Sequence, residues 1–301
     1  MTTHREHDTK LPLKGNICPI FISSFVIAFL VAVVSVAGLQ FRTSIYPTDE
    51  LIRTFVPNDT VNLFIGLLIL LGSMRLAWRG KLIGLLCWAG ALFFVLYNYL
   101  AYAFALPLAW AFLAHLALTT LSLYTLIGLV AIIDGKIVKQ RLGGAVPERL
   151  AGGVLTALGL LFFLRVIGVL FNALSSGILL PEPELAVNIS DFLTTPAWVI
   201  GGILLWQRKG LGYVAGLGLL LQGSMLFVAL VIYMIVQSFL TSTPFPILDA
   251  LVVMCMGLFC FIPFGLFVRG VVSRQTTLAP GHNNSGTDYI AEDDTKKEGR
   301  A

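Results

Sequence analysis

The sequence predicts an all-α polytopic membrane protein: a bundle of about eight spanning helices, built as a 4+4 parallel internal repeat. Three observations predict it. Of the 301 residues, 57% are hydrophobic and 12% charged, with a mean hydropathy of +0.88; a soluble domain carries roughly 25% charged residues. So much apolar surface has no place to hide in a soluble fold, which makes the bilayer the expected solvent. The apolar residues fall into runs close to the ~20 residues that cross a hydrocarbon core. When those runs are threaded in alternation, the basic residues gather on one side.

In chain order, residues 1–16 are polar and read as a cytoplasmic N-terminal segment. The expected spans are 17–39, 61–78, 82–106, 108–133, 150–174, 192–206, 211–239 and 247–271. The first run contains Ser35-Val36-Ala37, a small-residue triplet of the kind found at signal-peptide cleavage sites. The run is longer than a signal-peptide core, so a span is the better reading. Pro107 separates the third and fourth spans, because the residue before a proline is pushed out of helical geometry. The sixth run is the shortest, and Pro196 falls where its first turn would be. The tail 275–301 has too little apolar surface to fold and is expected to be disordered.

Charge sets the expected orientation. With the N-terminus inside, Arg75, Arg79, Lys81, Lys136, Lys139, Arg141, Arg149, Arg208 and Lys209 all lie in cytoplasmic segments. Only Arg42 and Arg53 lie outside, among the acids Asp49, Glu50, Asp59, Glu182, Glu184 and Asp191. Both termini are therefore expected in the cytoplasm, with the cell membrane as the location. The same dispersal over short loops excludes a nucleic-acid surface, which would gather its basic residues on one face.

The repeat is read from paired motifs. Trp78-Arg79-Gly80-Lys81 followed by Gly84 echoes Trp206-Gln207-Arg208-Lys209 followed by Gly212. Gly90-Ala91-Leu92-Phe93-Phe94-Val95 echoes Gly223-Ser224-Met225-Leu226-Phe227-Val228, and Asp49-Glu50-Leu51 echoes Pro183-Glu184-Leu185. The halves are then 17–133 and 150–274, joined by the basic linker 134–149. Four spans is an even number, so the halves enter the membrane in the same direction.

Polar residues at membrane depth are expensive and so carry the functional signal. Arg165 interrupts an apolar run about 15 residues from the inner end of its span, or ~22 Å at 1.5 Å per residue. Asn172 lies on the same stripe. Asn98 and Tyr102 are one turn apart in the third span, and His115 heads a stripe with Thr119 and Ser122 in the fourth. Tyr233 and Gln237 are one turn apart in the seventh, and Asp249 stands in the first turn of the eighth. Arg165, Asn172, Asn98, Tyr102, His115, Tyr233, Gln237 and Asp249 fall in the expected outer half. Together they suggest an outward-facing polar cavity with Arg165 as its fixed positive charge, and with Asp249 or a loop acid as partner. The competing reading is a set of unrelated polar residues: interhelical hydrogen bonds, a helix-dipole acid at Asp249 and a snorkelling Arg165.

Cys18, Cys87, Cys255 and Cys260 lie in or beside apolar runs and read as packing residues. No His or Cys spacing suggests a metal, no cofactor motif appears, and no HExxH, Walker A or GxSxG pattern is present. The outer acceptor patterns at Asn58 and Asn188 read more simply as helix caps than as glycosylation sites.

The stretch from Trp78-Arg79-Gly80-Lys81 through Leu96-Tyr97-Asn98-Tyr99 to Tyr124-Thr125-Leu126-Ile127-Gly128 resembles a prokaryotic family of uncharacterised multispan membrane proteins. The resemblance implies a multispan fold and brings no activity. The function expected is binding or transport of a small solute, ion or lipid. The alternatives are a non-catalytic scaffold or sensor subunit, and an intramembrane lipid-modifying enzyme. The last lacks convergent acid, base, nucleophile or metal groups.

Overall fold

A computed structural model describes residues 11–241 and 244–278, and these are helical almost throughout. The helices are α1 (Cys18–Gln40), α2 (Arg42–Ile45), α3 (Asp49–Val61), α4 (Leu67–Trp78), α5 (Leu82–Ala105), α6 (Trp110–Ile132), α7 (Gly135–Leu142), α8 (Glu148–Ser176), α9 (Glu182–Trp206), α10 (Gly210–Thr241) and α11 (Ile247–Leu278). A π-helical turn, Asn62–Gly66, joins α3 to α4 without a break. Among the described residues, eight helices are long and apolar enough to cross a membrane, counting α3 through α4 as one. The chain therefore has the helices of a multi-pass membrane protein.

Two spans begin earlier than their apolar runs suggest. The second starts at Asp49 rather than 61, because Thr48 caps it by accepting from the Leu51 N–H at 3.3 Å. Asp49 and Glu50 then complement the helix dipole, while Leu51 and Phe55 bury one face. The sixth starts at Glu182 rather than 192, opened by Pro181 and Pro183. Pro196 consequently lies in the interior of α9, not in its first turn. Around it, the hydroxyls of Ser190, Thr194 and Thr195 each donate to the carbonyl four residues back.

The basic linker is more than a connection. It holds α7, which Asp134 caps through the Lys136 and Ile137 N–H groups and which buries Val138 and Leu142. Residues near the N-terminus are strapped to this end, with Lys14 N–H donating to Ile132 and Asp134 N–H to Pro12. At the other terminus α11 carries on to Leu278. The expected disorder of the rest of the tail falls outside the described residues.

The core sits on α5, the most buried spanning helix, with Trp88, Tyr99 and Tyr102 fully enclosed. It packs against α4, α6, α9 and α10. At its crossing with α10 the backbones nearly touch. A Cβ on Gly90 would meet the Gly218 carbonyl oxygen at 2.3 Å, and one on Gly218 would meet the Gly90 nitrogen at 2.9 Å.

The two basic turns have the same construction. Lys81 N–H donates to Leu76 at 3.0 Å and Lys209 N–H to Leu204 at 2.9 Å. Gly80 (φ +73°) and Arg208 (φ 56°) hold the same left-handed position. Gly84 and Gly212 then let the returning helix press against the one before it.

Candidate functional site

A cavity of about 500 Å³ lies in the half of the bundle away from the basic turns. Its walls come from α3, α5, α8, α9 and α10. A run of 24 residues such as α5 presents several faces, so Tyr97 and Asn98 line this cavity while Tyr99 and Tyr102 turn elsewhere.

Arg165 on α8 is the cationic group on the wall. Its Nη1 lies 3.5 Å from Oδ2 of Asp191 on α9, and the two side chains are 53% and 13% exposed. The other carboxylate oxygen of Asp191 accepts from the Tyr97 hydroxyl at 2.9 Å. One wall of the cavity is thus a chain from α5 through α9 to α8. The ion pair is long and half open, so Arg165 keeps donors available to an incoming group. Deeper in, Trp198 Nε1 donates to Oε1 of Gln222 at 2.6 Å, tying α9 to α10 beneath the cavity. Asn188 is 1% exposed; its amide N–H donates to Glu184 at 2.8 Å, and its Oδ1 is a buried acceptor with no protein partner. Thr54 and Asn58 complete the wall from α3.

A second polar cluster is enclosed in the first half. Asp59 is 0% exposed. Its Oδ2 accepts from the Tyr46 hydroxyl at 2.5 Å and its Oδ1 from the Tyr102 hydroxyl at 2.9 Å. Gly38 makes room for the carboxylate, since a Cβ there would collide with Asp59 and with the Tyr46 oxygen. His115 stacks on Tyr102 with ring centroids 4.7 Å apart and planes 6° off parallel, and its Nδ1 lies 2.5 Å from the Ala111 carbonyl. Tyr46 lies in the segment between spans. Its burial, and then the neighbouring Asp59 carboxylate, push its phenol well above the ordinary value and keep it a donor.

The residues expected to form one cavity divide into three groups. Arg165, Asn98 and Tyr233 line it. Tyr102 and His115 belong to the enclosed cluster. Asn172, Gln237 and Asp249 are in neither. Asn172 shares the stripe of Arg165, but seven residues also carry it ~10 Å along the axis. It is exposed near the end of α8, where its carbonyl accepts from Ser175 and Ser176. Asp249 is exposed in the first turn of α11, and the acid beside Arg165 is Asp191. Asp191 answers to the loop acid expected beside Arg165; Asn188, Thr54 and Asn58 were missed as cavity residues, and Asp59 and Tyr46 as a cluster. All lie in segments that read as outer loops. The Thr48-Asp49-Glu50 cap and the Pro181-Glu182-Pro183 start were the signals that could have extended both helices over them.

Among the described residues, no group of three or more His, Cys, Asp or Glu side chains is arranged to hold a metal ion. Compared with protein-family models, with curated proteins and with solved structures, the chain matches none. Its function is therefore argued from the site itself.

Proposed function

We propose that this protein binds a small polar solute in the cavity between two parallel four-helix halves and moves it across the cell membrane. The observation that carries the reading is the Arg165–Asp191–Tyr97 chain, set on the wall of a cavity that α3 and α5 share with α8, α9 and α10. A charged pair at membrane depth is costly and marks a ligand path by default. A cation with free donors, a carboxylate and an unpartnered Asn188 oxygen suit a solute bearing both donor and acceptor groups.

The matching basic turns and the Gly90–Gly218 crossing support the parallel repeat. An axis along the membrane normal would pass near that crossing. The basic turns support cytoplasmic termini, which turn the cavity outward. At the opposite end Glu148 joins α8 to α10 and to the linker, accepting from Tyr213 and from the Gly144 N–H at 2.8 Å each.

The scaffold reading is weaker. Gly152 and Gly202, the small-residue faces it would offer to a partner, already press α8 against α9 inside the chain.

The test is a thermal-stability screen of purified protein in detergent against amino acids, sugars and small carboxylates, with Arg165→Ala and Asp191→Asn beside the wild type. A solute that stabilises the wild type and neither variant supports the reading. A solute that stabilises all three equally binds elsewhere and overturns it, and so does a panel without any stabilising member.

A further inference from the structure

Asp59 has the surroundings of a group that changes protonation, and the cavity does not use it. It is fully buried at membrane depth, and its described hydrogen-bond partners are two neutral phenols. A carboxylate held for structure alone is expected to face a cation, as Asp191 faces Arg165.

The Tyr102 hydroxyl has two acceptors within reach: Oδ1 of Asp59 at 2.9 Å and the Phe55 carbonyl at 3.2 Å. One hydroxyl can therefore serve both protonation states. With Asp59 ionised, Tyr102 donates to Oδ1. With Asp59 protonated, Tyr102 turns its hydrogen to Phe55, and its lone pair accepts the new O–H of Asp59. Tyr46 donates to Oδ2 throughout. No polar atom of the trio loses its partner in either state, which is the condition for a buried group to titrate without unfolding its surroundings.

We propose that Asp59 is a proton-binding site, with Tyr102 as the hydroxyl that adapts to its protonation state. The proton comes from a hydronium ion of the aqueous phase: one of its O–H bonds breaks as one forms at Oδ1, a water molecule is left, and the site passes from one negative charge to none. The groups around it are consistent with this. From α1 come Gly38 and Ser35, neither titratable, and Ser35 Oγ lies 3.3 Å from the Tyr99 hydroxyl. From α5 come Tyr99 and Tyr102, and from α6 His115, stacked on Tyr102 and tilted against Tyr99. On the far face of α3, across the cavity wall, stand Tyr233 of α10 and Asp191 of α9. Asn62, one turn beyond Asp59, has a buried amide nitrogen without a protein partner, and the Nε2 of His115 is likewise unpartnered.

The site also has a route to the cavity. Phe55 and Asp59 sit on one face of α3, and Thr54 and Asn58 on the face that lines the cavity. A hydroxyl that moves onto the Phe55 carbonyl acts on the same turn as Thr54. That consequence rests on the solute-binding reading, whereas the proton site does not.

The experiment is infrared spectroscopy of the full chain in lipid nanodiscs, titrated from about pH 3 to about pH 10, a window that spans the free aspartate value of about 3.9 and values raised above it. The signal is the C=O stretch of protonated carboxyl groups, assigned to aspartate by carbon-13 labelling of wild-type protein. The expected result is an aspartate band that titrates in the wild type and in Asp191→Asn but is lost in Asp59→Asn. In Tyr46→Phe it should move to higher frequency, because the carbonyl oxygen loses its donor. Should Asp59→Asn fail to fold, the labelled wild type with Asp191→Asn and Tyr46→Phe makes the assignment alone. The proposal is overturned by the absence of a titrating aspartate band, by a band that survives in Asp59→Asn, or by one that ignores Tyr46→Phe.

Discussion

Asp59 and Asp191 are the same residue type in comparable settings. Each sits in the half of the bundle away from the basic turns, on a helix leading toward them, and each accepts from a tyrosine of α5. They differ in what takes up the remaining carboxylate oxygen. For Asp191 it is Arg165, half exposed on a cavity wall; for Asp59 it is a second phenol in a sealed pocket. The first arrangement leaves charge and solvent access for a ligand. The second leaves neither, and suits only something as small as a proton. One bundle thus holds an open polar site and a closed one on opposite faces of α3, and the closed one should matter more to stability.

Alanine at the two positions should break the comparison furthest. In Asp59→Ala the Tyr46 hydroxyl loses its acceptor in a dry pocket and a cavity opens, so a loss of about 2–4 kcal/mol is expected from an unsatisfied buried donor plus lost packing. Asp191→Ala removes the acceptor of Tyr97 and the partner of the half-exposed Arg165, but cavity water can replace the carboxylate for both, so a loss of about 1 kcal/mol is expected. Denaturant unfolding in micelles reads both, and equal losses would erase the distinction. Asp59→Asn should recover most of the loss, because its carbonyl oxygen can accept from Tyr46 and one of its two N–H groups can donate to Tyr102, as the protonated acid does with its O–H.

Gly38→Ala attacks the closed site from behind. The new methyl would stand 1.9 Å from Oδ2 of Asp59 and 2.7 Å from the Tyr46 oxygen. Overpacking of this kind costs about 1–3 kcal/mol. In the infrared titration the same variant should displace the Asp59 band, and an unmoved band would mean that α1 does not confine the carboxylate.

The asymmetry also governs what could be read from sequence. The spanning helices were legible because apolar runs of sufficient length have few other uses. Arg165 was legible because a guanidinium directly after Leu161-Phe162-Phe163-Leu164 stands at a depth where charge is costly. The partners were lost for a physical reason: Thr54, Asn58 and Asp59 lower the apolar content of α3, and Asn188 and Asp191 that of α9. The residues that make the sites are those that make these turns look like loops. Shared depth grouped Tyr102 and His115 with Arg165, yet which face of α5 meets α6 and which meets α9 is decided by tertiary packing. Depth alone could not separate the two clusters.

The smallest stability effect is expected where the functional effect is largest. Arg165 touches Asp191 through a single 3.5 Å contact and is 53% exposed. Pairs of that openness contribute about 0–1 kcal/mol. Replacing Arg165 by Gln keeps length and hydrogen-bond donors while removing the charge, so unfolding should shift by less than ~1 kcal/mol. Asp191 retains Tyr97, and the variant should fold as the wild type does. Solute stabilisation should nevertheless fall to the level of Asp191→Asn, because the neutral side chain cannot attract an anionic group. Arg165→Lys separates two causes further. It keeps the charge but loses the planar fork, so partial retention would assign Arg165 a role as a point charge, and full loss would assign it a directional one. If Gln at this position instead unfolds the protein, Arg165 is holding the bundle together. The two aspartates would then be structural neighbours of the same kind, and the contrast between open and closed sites would fall.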